Sequence, residues 1–458
     1  MTATQLALPD GAEEYDPEGL YDEGFAARGT PREQYLAVLE RLARADLDEA
    51  VTTMRRRLLD AGCTFGEGEQ EEAFAIDVVP RIITPEEWVV LAAGLEQRVQ
   101  ALDAFLHDVY GDRRIVAEGV VPARVVDGAD HHEPALRELP QPRVRVALAG
   151  LDVVRLPSGE FQVLEDNLRT PSGLAYAFAA REAILPYAGG DGVVPLGFEE
   201  AAIAALGRAL AGAGGSRAVL LTDGPENTAF WEHETLAERL GIPAVTLAEL
   251  DLDAVDVIYR RTDEDRVCDE RGQLTEVGRA LLPGLRDGSV AVVNALGNGV
   301  ADDKLVHAHV DDMVRFYLHE EPLIRSVPTY DLLDEGVLDQ VADRLDELVV
   351  KPRSAYGGEG VFVGPAASPS QRDVVRAAIT ERPDAYIAQE TVFFSRHPTV
   401  IDGALQPRHV DLRAFVTFDG ERATALPGGL TRVAYAEGDL VVNSSRGGGG
   451  KDTWVLER

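Results

Sequence analysis

At 458 residues, 45% of them hydrophobic, the chain can bury two or three packed domains. Its 79 acidic against 44 basic residues leave a formal charge of −35, which argues against nucleic acid or anionic membrane as the main partner. No apolar stretch approaches the roughly 20 residues that span a bilayer, so no membrane span is expected.

The N-terminus, MTATQLALPDGAEEYDPEG, has neither a basic flank nor an apolar h-region, so it does not read as a signal peptide. With only Cys63 and Cys268, a disulfide framework is excluded, and the reducing cytoplasm is the expected compartment. The acidity reads as solvated faces, with an acidic docking surface for a basic partner as the alternative. Three of the 44 basic residues are lysines, Lys304, Lys351 and Lys451. In a chain that otherwise uses arginine, each marks a place where a compact ammonium is needed and a planar guanidinium does not substitute.

In chain order, residues 31–62 place Tyr35, Leu39, Leu42, Leu47, Val51, Met54 and Leu58 at helical spacing, which predicts an amphipathic helical pair. A helix from Pro85 to Tyr110 follows, with Pro85 in its first turn and Trp88, Leu91, Leu95, Val99, Leu102 and Leu106 as its buried stripe. After a polar loop at 127–142, VRVALAGLDVVRL and EFQVLEDN form a hairpin around the turn PSG. An alanine-rich helix at 199–213 then leads into AVLLTD, NTAFWEHETLAERLG, AVTL, VDVIYRR and SVAVVNAL, whose alternation predicts a parallel, Rossmann-like sheet. From Pro322 onward the reading is α+β, with ELVVKP, GVFVGP, AYIAQE, LRAFVTF and DLVVN as strands.

Two segments carry the chemistry. On the second strand of the hairpin, Glu165 and Asn167 are two residues apart and share a face, and Asp152 on the first strand can lie opposite them. Hard oxygen donors so placed suit magnesium bound to a nucleotide, which takes few protein ligands beside phosphate oxygens. The blander reading is a polar strand face ending in a turn. In LVVKPRSAYGGEGVFVG, an apolar strand delivers Lys351 at its end and Gly357, Gly358 and Gly360 follow. Lysine supplies a point charge for phosphate, and glycines let backbone N–H groups close over an anion. The order is neither a P-loop nor a Rossmann fingerprint.

Together these segments resemble the two halves of an ATP-grasp site in inverted order, because in ordinary ATP-grasp ligases the lysine strand precedes the magnesium segment. The whole chain resembles the circularly permuted ATP-grasp family related to glutathionylspermidine synthetase. That resemblance implies an α/β (α+β) fold comprising an N-terminal helical region (1–125) and the lobe segment with the magnesium hairpin (126–198). A Rossmann-like pre-ATP-grasp domain (199–300) and the lysine-bearing lobe with the remaining site strands (301–458) would follow.

Further roles follow from the resemblance alone. Gln389 and Glu390 match the hinge that meets adenine and ribose. Lys304, in NALGNGVADDKLV, matches a first phosphate-facing lysine. Arg413, Arg432 and Asn443 match positions over the γ-phosphate and acyl intermediate, and Arg169 and Ser172, in LRTPSG, match substrate-side contacts. Lys451, in GGGGKD, is a further substrate candidate. Arg260 and Arg261 sit at a strand end, where they would bind a substrate carboxylate or pair with Asp263 or Glu264. The run Gly447 to Gly450, whose ordering entropy is high, suggests a mobile lid or close backbone approach to substrate.

The implied activity is a carboxylate–amine ligase that uses ATP and Mg2+, two ions in the family pattern, and passes through an acyl phosphate. Its substrates would be a small-molecule or peptide carboxylate and an amine, and transglutaminase-like or α-helical E-type proteins are candidate partners. The alternatives are a phosphotransferase on the same fold or a non-catalytic nucleotide-binding protein. His131, His132, His307, His309 and the two cysteines make no metal-ligand spacing, and no hydrolase motif occurs.

Overall fold

The computed structural model describes residues 7–65, 72–190, 193–269, 271–354, 360–436 and 449–457. Near the start, short ribbons pair β1 (Phe25–Ala27) with β2 (Thr30–Pro31) and β3 (Thr64–Phe65) with β4 (Glu72–Ala73). Between them lies the expected helical pair, α1 (Leu36–Leu42) and α2 (Leu47–Asp60), whose apolar stripe of Leu39, Leu42, Leu47, Met54 and Leu58 is buried. After β5 (Arg81–Ile83), helix α3 (Pro85–Val109) begins where expected. A capping box sets that start: the Thr84 hydroxyl accepts from the Glu87 N–H at 3.3 Å, and the Glu87 carboxylate accepts from the Thr84 N–H at 3.0 Å. The short helices α4 (Arg114–Ala117) and α5 (Ala123–Asp127) lead to the hairpin of β6 (Leu148–Arg155) and β7 (Phe161–Asn167).

Helices α6 (Leu174–Ala188) and α7 (Phe198–Gly212) then precede β8 (Ala218–Leu221), α8 (Phe230–Leu240), β9 (Ala244–Val245), β10 (Val257–Arg260), α9 (Glu276–Asp287) and β11 (Ala291–Val293). Their four strands pair in the order β11-β10-β8-β9, every pair parallel. Helical returns between strands require this, since a parallel neighbour needs a crossover. Next come α10 (Lys304–His307), α11 (Val310–Met313), β12 (Arg325–Ser326), β13 (Thr329–Asp331), α12 (Val337–Asp343) and β14 (Leu348–Pro352). The described chain closes with β15 (Phe362–Val363), α13 (Pro369–Glu381), β16 (Tyr386–Glu390), β17 (Arg396–Ile401), β18 (Ala404–Phe418), β19 (Ala423–Val433) and β20 (Gly449–Val455).

The largest sheet runs β12-β7-β6-β18-β19-β20-β5, with β17 paired to β18. It therefore joins the hairpin, the last third of the chain and a strand of the N-terminal region. Alternation sorts its side chains into two cores. Leu151, Val153, Leu412, Ala414 and Val416 pack with α3, whereas Leu148, Phe415, Leu430 and Trp454 pack with α1, α2, α6 and α7. Both faces are covered, so β6 is buried along its whole length. A smaller antiparallel sheet, β13-β16-β14-β15, has its own core around Leu332, Leu348 and Val350. Strand DLVVN at 439–443, Gly357, Gly358 and Asn443 lie outside the described residues.

The glycine run resolves differently from expectation where it is described. Gly449 and Gly450 open β20, and a Cβ at either would clash with the Tyr435 or Phe74 ring. The close approach is to the core rather than to substrate, and Gly447 and Gly448 lie outside the described residues. Lys451 follows on the same strand. It is paired across the ladder with Thr431, whereas Arg432 is paired with Gly450, so alternation sends Lys451 to the opposite face. There its fully buried ammonium donates to Asp77 and to the Pro398 and Val79 carbonyls, the last two at 3.1 and 3.5 Å. Three N–H donors meet three acceptors, so Lys451 is a core counter-ion and not a substrate contact. Lys451→Met is accordingly expected to cost about 3–5 kcal/mol by leaving Asp77 buried and unpaired. Chemical denaturation measures this, and adding Asp77→Asn should recover part of the loss.

Candidate active site

Strand register assembles the polar cluster. Asp152 on β6 is the ladder partner of Glu165 on β7 and of Arg413 on β18. Asp411, two residues before Arg413 and so on the same face, is the partner of Arg432 on β19. Arg413 donates to the two Asp152 oxygens at 2.5 and 3.0 Å. Arg432 lies 2.9 Å from Asp152 and donates to Asp411 at 2.8 and 2.5 Å. Two arginines and two aspartates thus alternate across three strands. Gly150 makes room for this: a Cβ there would lie 2.9 Å from the Arg413 Cδ.

The lysine strand arrives from the other sheet. Lys351, 7% exposed on β14, donates to Glu165 at 3.2 Å across 186 residues of sequence. Burial alone would raise the Glu165 pKa, but Lys351, Lys304 and Arg432 outweigh it and hold the carboxyl down to about 2. Between β7 and the β14–β16 pair lies a narrow cleft. Leu164 and Ile387 give it apolar walls, and Glu165, Lys304, Lys351 and Gln389 give it polar ones.

The remaining expected residues divide. Gln389 faces the cleft and donates to the Thr329 hydroxyl at 2.9 Å. Glu390, on the opposite face of β16, is held by the Tyr330 hydroxyl of β13 at 2.5 Å and by Arg344 after α12 at 2.9 Å. Gly360 has φ of 68°. Arg169 reaches the Asp263 carbonyl at 2.8 Å, and its N–H donates to Asp302. The Ser172 carbonyl accepts from Arg413 at 3.2 Å and its hydroxyl from Arg261 at 3.2 Å.

Arg260 and Arg261 differ from expectation. Arg260 is fully buried and donates to the carbonyls of Asn294, Thr262 and Arg169. Arg261, 1% exposed, donates to the Pro171 carbonyl at 2.7 Å and pairs with Glu232 at 2.8 Å, and neither Asp263 nor Glu264 is its partner. Both guanidiniums are therefore buried and hold the loop that follows the hairpin.

Several residues were not legible as site residues. Asp166 points away from Glu165 and Asn167 into the α3 side, where Arg98 donates to it at 2.6 and 2.7 Å and the His307 Nδ1 lies 2.7 Å away. This buried trio pins the strand that carries Glu165 and Asn167. Asp302, pushed up to about 6 by burial, accepts from the Leu168 N–H at 2.6 Å. Asn294 clasps the hairpin from the parallel sheet, exchanging bonds with Leu148 at 3.0 and 2.6 Å. The only sequence signal for Asp411 was its two-residue spacing from Arg413.

The donor set has capacity for a divalent cation. The buried Asn167 amide nitrogen has no hydrogen-bond partner; as an N–H donor it suits a ligand oxygen, and a cation would take the amide oxygen instead. Among the described residues no three His, Cys, Asp or Glu side chains form a metal cluster by themselves. A cation here would thus draw on Glu165 and Asn167 jointly with ligand oxygens, as magnesium does with nucleotides. Asp152 would join once Arg413 shared its carboxylate.

A carboxylate and amide hairpin in one mixed sheet, facing a lysine strand in a second, antiparallel one, defines an ATP-grasp architecture with its lobes in inverted chain order. The chain belongs to the circularly permuted ATP-grasp type 2 family, whose model matches residues 80–434. It is 44% identical to a Frankia casuarinae protein named "Putative glutamate--cysteine ligase 2-2", over 100% of this chain and 56% of that one. The chain thus spans about half the length of the Frankia relatives it matches. It is 38% identical to a Synechocystis protein over 97% of this chain and 98% of that one. Among solved structures, a glutathione synthetase-like effector from Globodera pallida shares the fold with TM-score 0.57 at 12% identity, covering 89% of this chain and 96% of that one.

Proposed function

We propose that the chain is an ATP-dependent carboxylate–amine ligase. The observation that carries this reading is the meeting of Lys351 with Glu165 in a cleft that also holds Lys304 and adjoins the Asp152, Arg413 and Arg432 cluster. Such a site contains cations for phosphate oxygens and no side-chain nucleophile, which suits reactions run by positioning and charge stabilisation.

In the proposed sequence a substrate carboxylate oxygen bonds to the γ-phosphorus of ATP as the bond to the ADP oxygen breaks. The amine nitrogen then bonds to the acyl carbon, phosphate leaves, and the amine gives up a proton. Lys304 and Lys351 would neutralise the β- and γ-phosphates, Gln389 would meet the base, and Arg413 and Arg432 would face the transferring group. Magnesium, held through Glu165 and Asn167, would supply further charge neutralisation. Two ions remain the expectation from the family pattern. The Frankia relatives' name makes an amino-acid carboxylate such as glutamate, with a thiol-bearing amino acid as amine, the first pair to test. No helix among the described residues is long and apolar enough to cross a membrane. The cytoplasm stays the proposed compartment on the ground of the two unpaired cysteines. Transglutaminase-like and α-helical E-type proteins stay candidate partners.

Hydroxylamine tests the chemistry. With MgATP and a carboxylate that stimulates ADP release, but no amine, the ligase reading expects a hydroxamate detectable by mass. A stable phosphate ester with no hydroxamate would establish the phosphotransferase instead, and no stimulated turnover across amino acids, peptides and polyamines would favour a binding protein.

A further inference from the structure

The triplet Asp302-Asp303-Lys304 joins separate parts of the molecule. Asp302 accepts from the N–H of Leu168, the residue after β7, at 2.6 Å. Asp303 caps α10, accepting from the Leu305 and Val306 N–H groups at 2.9 and 3.4 Å. The same carboxylate receives the Arg353 Nε at 2.8 Å on each oxygen. Lys304 follows as the first residue of α10 and lines the cleft. His307, at the far end of that helix, has its Nδ1 2.7 Å from Asp166 of β7. The segment from Asp302 to His307 is therefore tied to β7 at both ends, and its remaining charged link runs to the lysine strand.

Arg353 stands two residues after Lys351, just past the end of β14. Besides Asp303, its guanidinium donates to the Val125 carbonyl of α5. Gly128 leaves room for it, since a Cβ there would lie 2.9 Å from the Arg353 Nη1. The Arg353 and Asp303 side chains are 10% and 5% exposed, so water does not replace either partner and removing one leaves the other buried and uncompensated. A second ion pair joins the same two bodies with the signs reversed, from Arg124 of α5 to Asp331 of β13 at 2.7 Å. Arg124 is 39% exposed, so solvent screens that pair and it contributes little. Lys351 cannot anchor its own strand while it serves phosphate, because its bond to Glu165 is the one a phosphate oxygen would compete for. Neither Arg353 nor Asp303 lines the cleft, so their pair can persist when the cleft fills.

We propose that Arg353 is a positioning residue: through Asp303 it holds the lysine strand against α10 and so fixes Lys351 relative to Lys304, the two cations assigned to the phosphates of one nucleotide. Asp303 serves both sides of the joint, capping the helix that carries Lys304 and pairing with the arginine that follows Lys351. The proposal rests on the nucleotide reading of the cleft for its ligand, but not on which group the nucleotide phosphorylates.

Calorimetric titration of the full chain with MgADP tests it through a double-mutant cycle between Arg353→Gln and Lys351→Ala. Arg353→Gln is expected to weaken MgADP about tenfold, the scale of a misplaced contact. In the Lys351→Ala background the same change should cost less than about twofold, because no ammonium is left to position. Arg124→Gln should stay within about twofold of the parent, which separates placement of Lys351 from general docking of the smaller sheet. Should Arg353→Gln not fold, Asp303→Asn serves: asparagine still caps α10 but gives Arg353 no counter-charge, and a loss of about tenfold is again expected. Parent-like affinity in folded Arg353→Gln or Asp303→Asn overturns the proposal. So does an Arg353→Gln loss equally large in the Lys351→Ala background, which marks a purely structural residue, or an equal loss in Arg124→Gln. The expected cycle without any hydroxamate keeps the positioning role and sinks the ligase, whereas hydroxamate formation with parent-like MgADP affinity in Arg353→Gln does the reverse. No MgADP binding by the parent overturns both.

Discussion

Glu165→Gln is expected to lower ADP release by ~100-fold or more, the scale seen when a preorganised charge is removed from a reacting centre. The substitution is isosteric and lies at the cleft wall, where the Glu165 side chain is one-third exposed, so the fold should persist, with a lowered melting temperature because Lys351 loses its counter-charge. What it removes is an anion held at about 2 by Lys351, Lys304 and Arg432 against the opposing effect of burial. Because that folded-state value is depressed, the stabilisation it represents is complete above the ordinary glutamate range and fades only as pH falls towards the depressed value. Glu165 is therefore ionised throughout the neutral range, and the pH profile of the reaction there must reflect other groups. Asn167→Ala should show a parallel loss of turnover. Coupled ADP assays on both variants, with circular dichroism as the control for folding, decide the matter; near-normal turnover in both removes the metal role of the hairpin.

Lys351→Arg is expected to fail nearly as badly as Lys351→Ala, again by ~100-fold or more in turnover, although arginine keeps the charge. The Lys351 ammonium is buried at the end of β14 and reaches Glu165 at 3.2 Å. A guanidinium is longer and planar, and it would have to occupy the cleft where phosphate oxygens belong. MgADP affinity should fall in both variants, which separates this lysine from a purely structural one. Normal activity in the arginine variant would mean that compactness is not what the site requires, and the scarcity of lysine would lose its functional meaning.

The elements most legible beforehand were those whose signal is local. Helix α3 starts at Pro85 because Thr84, Pro85 and Glu87 satisfy its first N–H groups within one turn, and that pattern is readable in four consecutive letters. The shared face of Glu165 and Asn167 follows likewise from the two-residue period of a strand. The same period misled where it needed a partner: Lys451 and Arg432 look equally placed in their strands, and only the pairing of Thr431 with Lys451 shows that they point to opposite faces. Arg261 illustrates a second limit. Its neighbours Asp263 and Glu264 were the available partners in sequence, yet Glu232, 29 residues earlier, is the one the fold delivers.

By itself the sequence determined where α2, α3 and the hairpin lie, that the middle of the chain alternates into a parallel sheet, and that the lysine strand and the acid hairpin stand in inverted order. These depend on side-chain periodicity and capping, which act over a few residues. Only the tertiary structure decided which polar groups meet. The pairing of Arg413 with Asp152 and of Lys351 with Glu165, and the confinement of Arg260, Arg261 and Lys451 to structural bonds, arise from strand register and from the need of every buried charge for a counter-charge or acceptors. Those partners come from distant parts of the chain, so no local pattern specifies them.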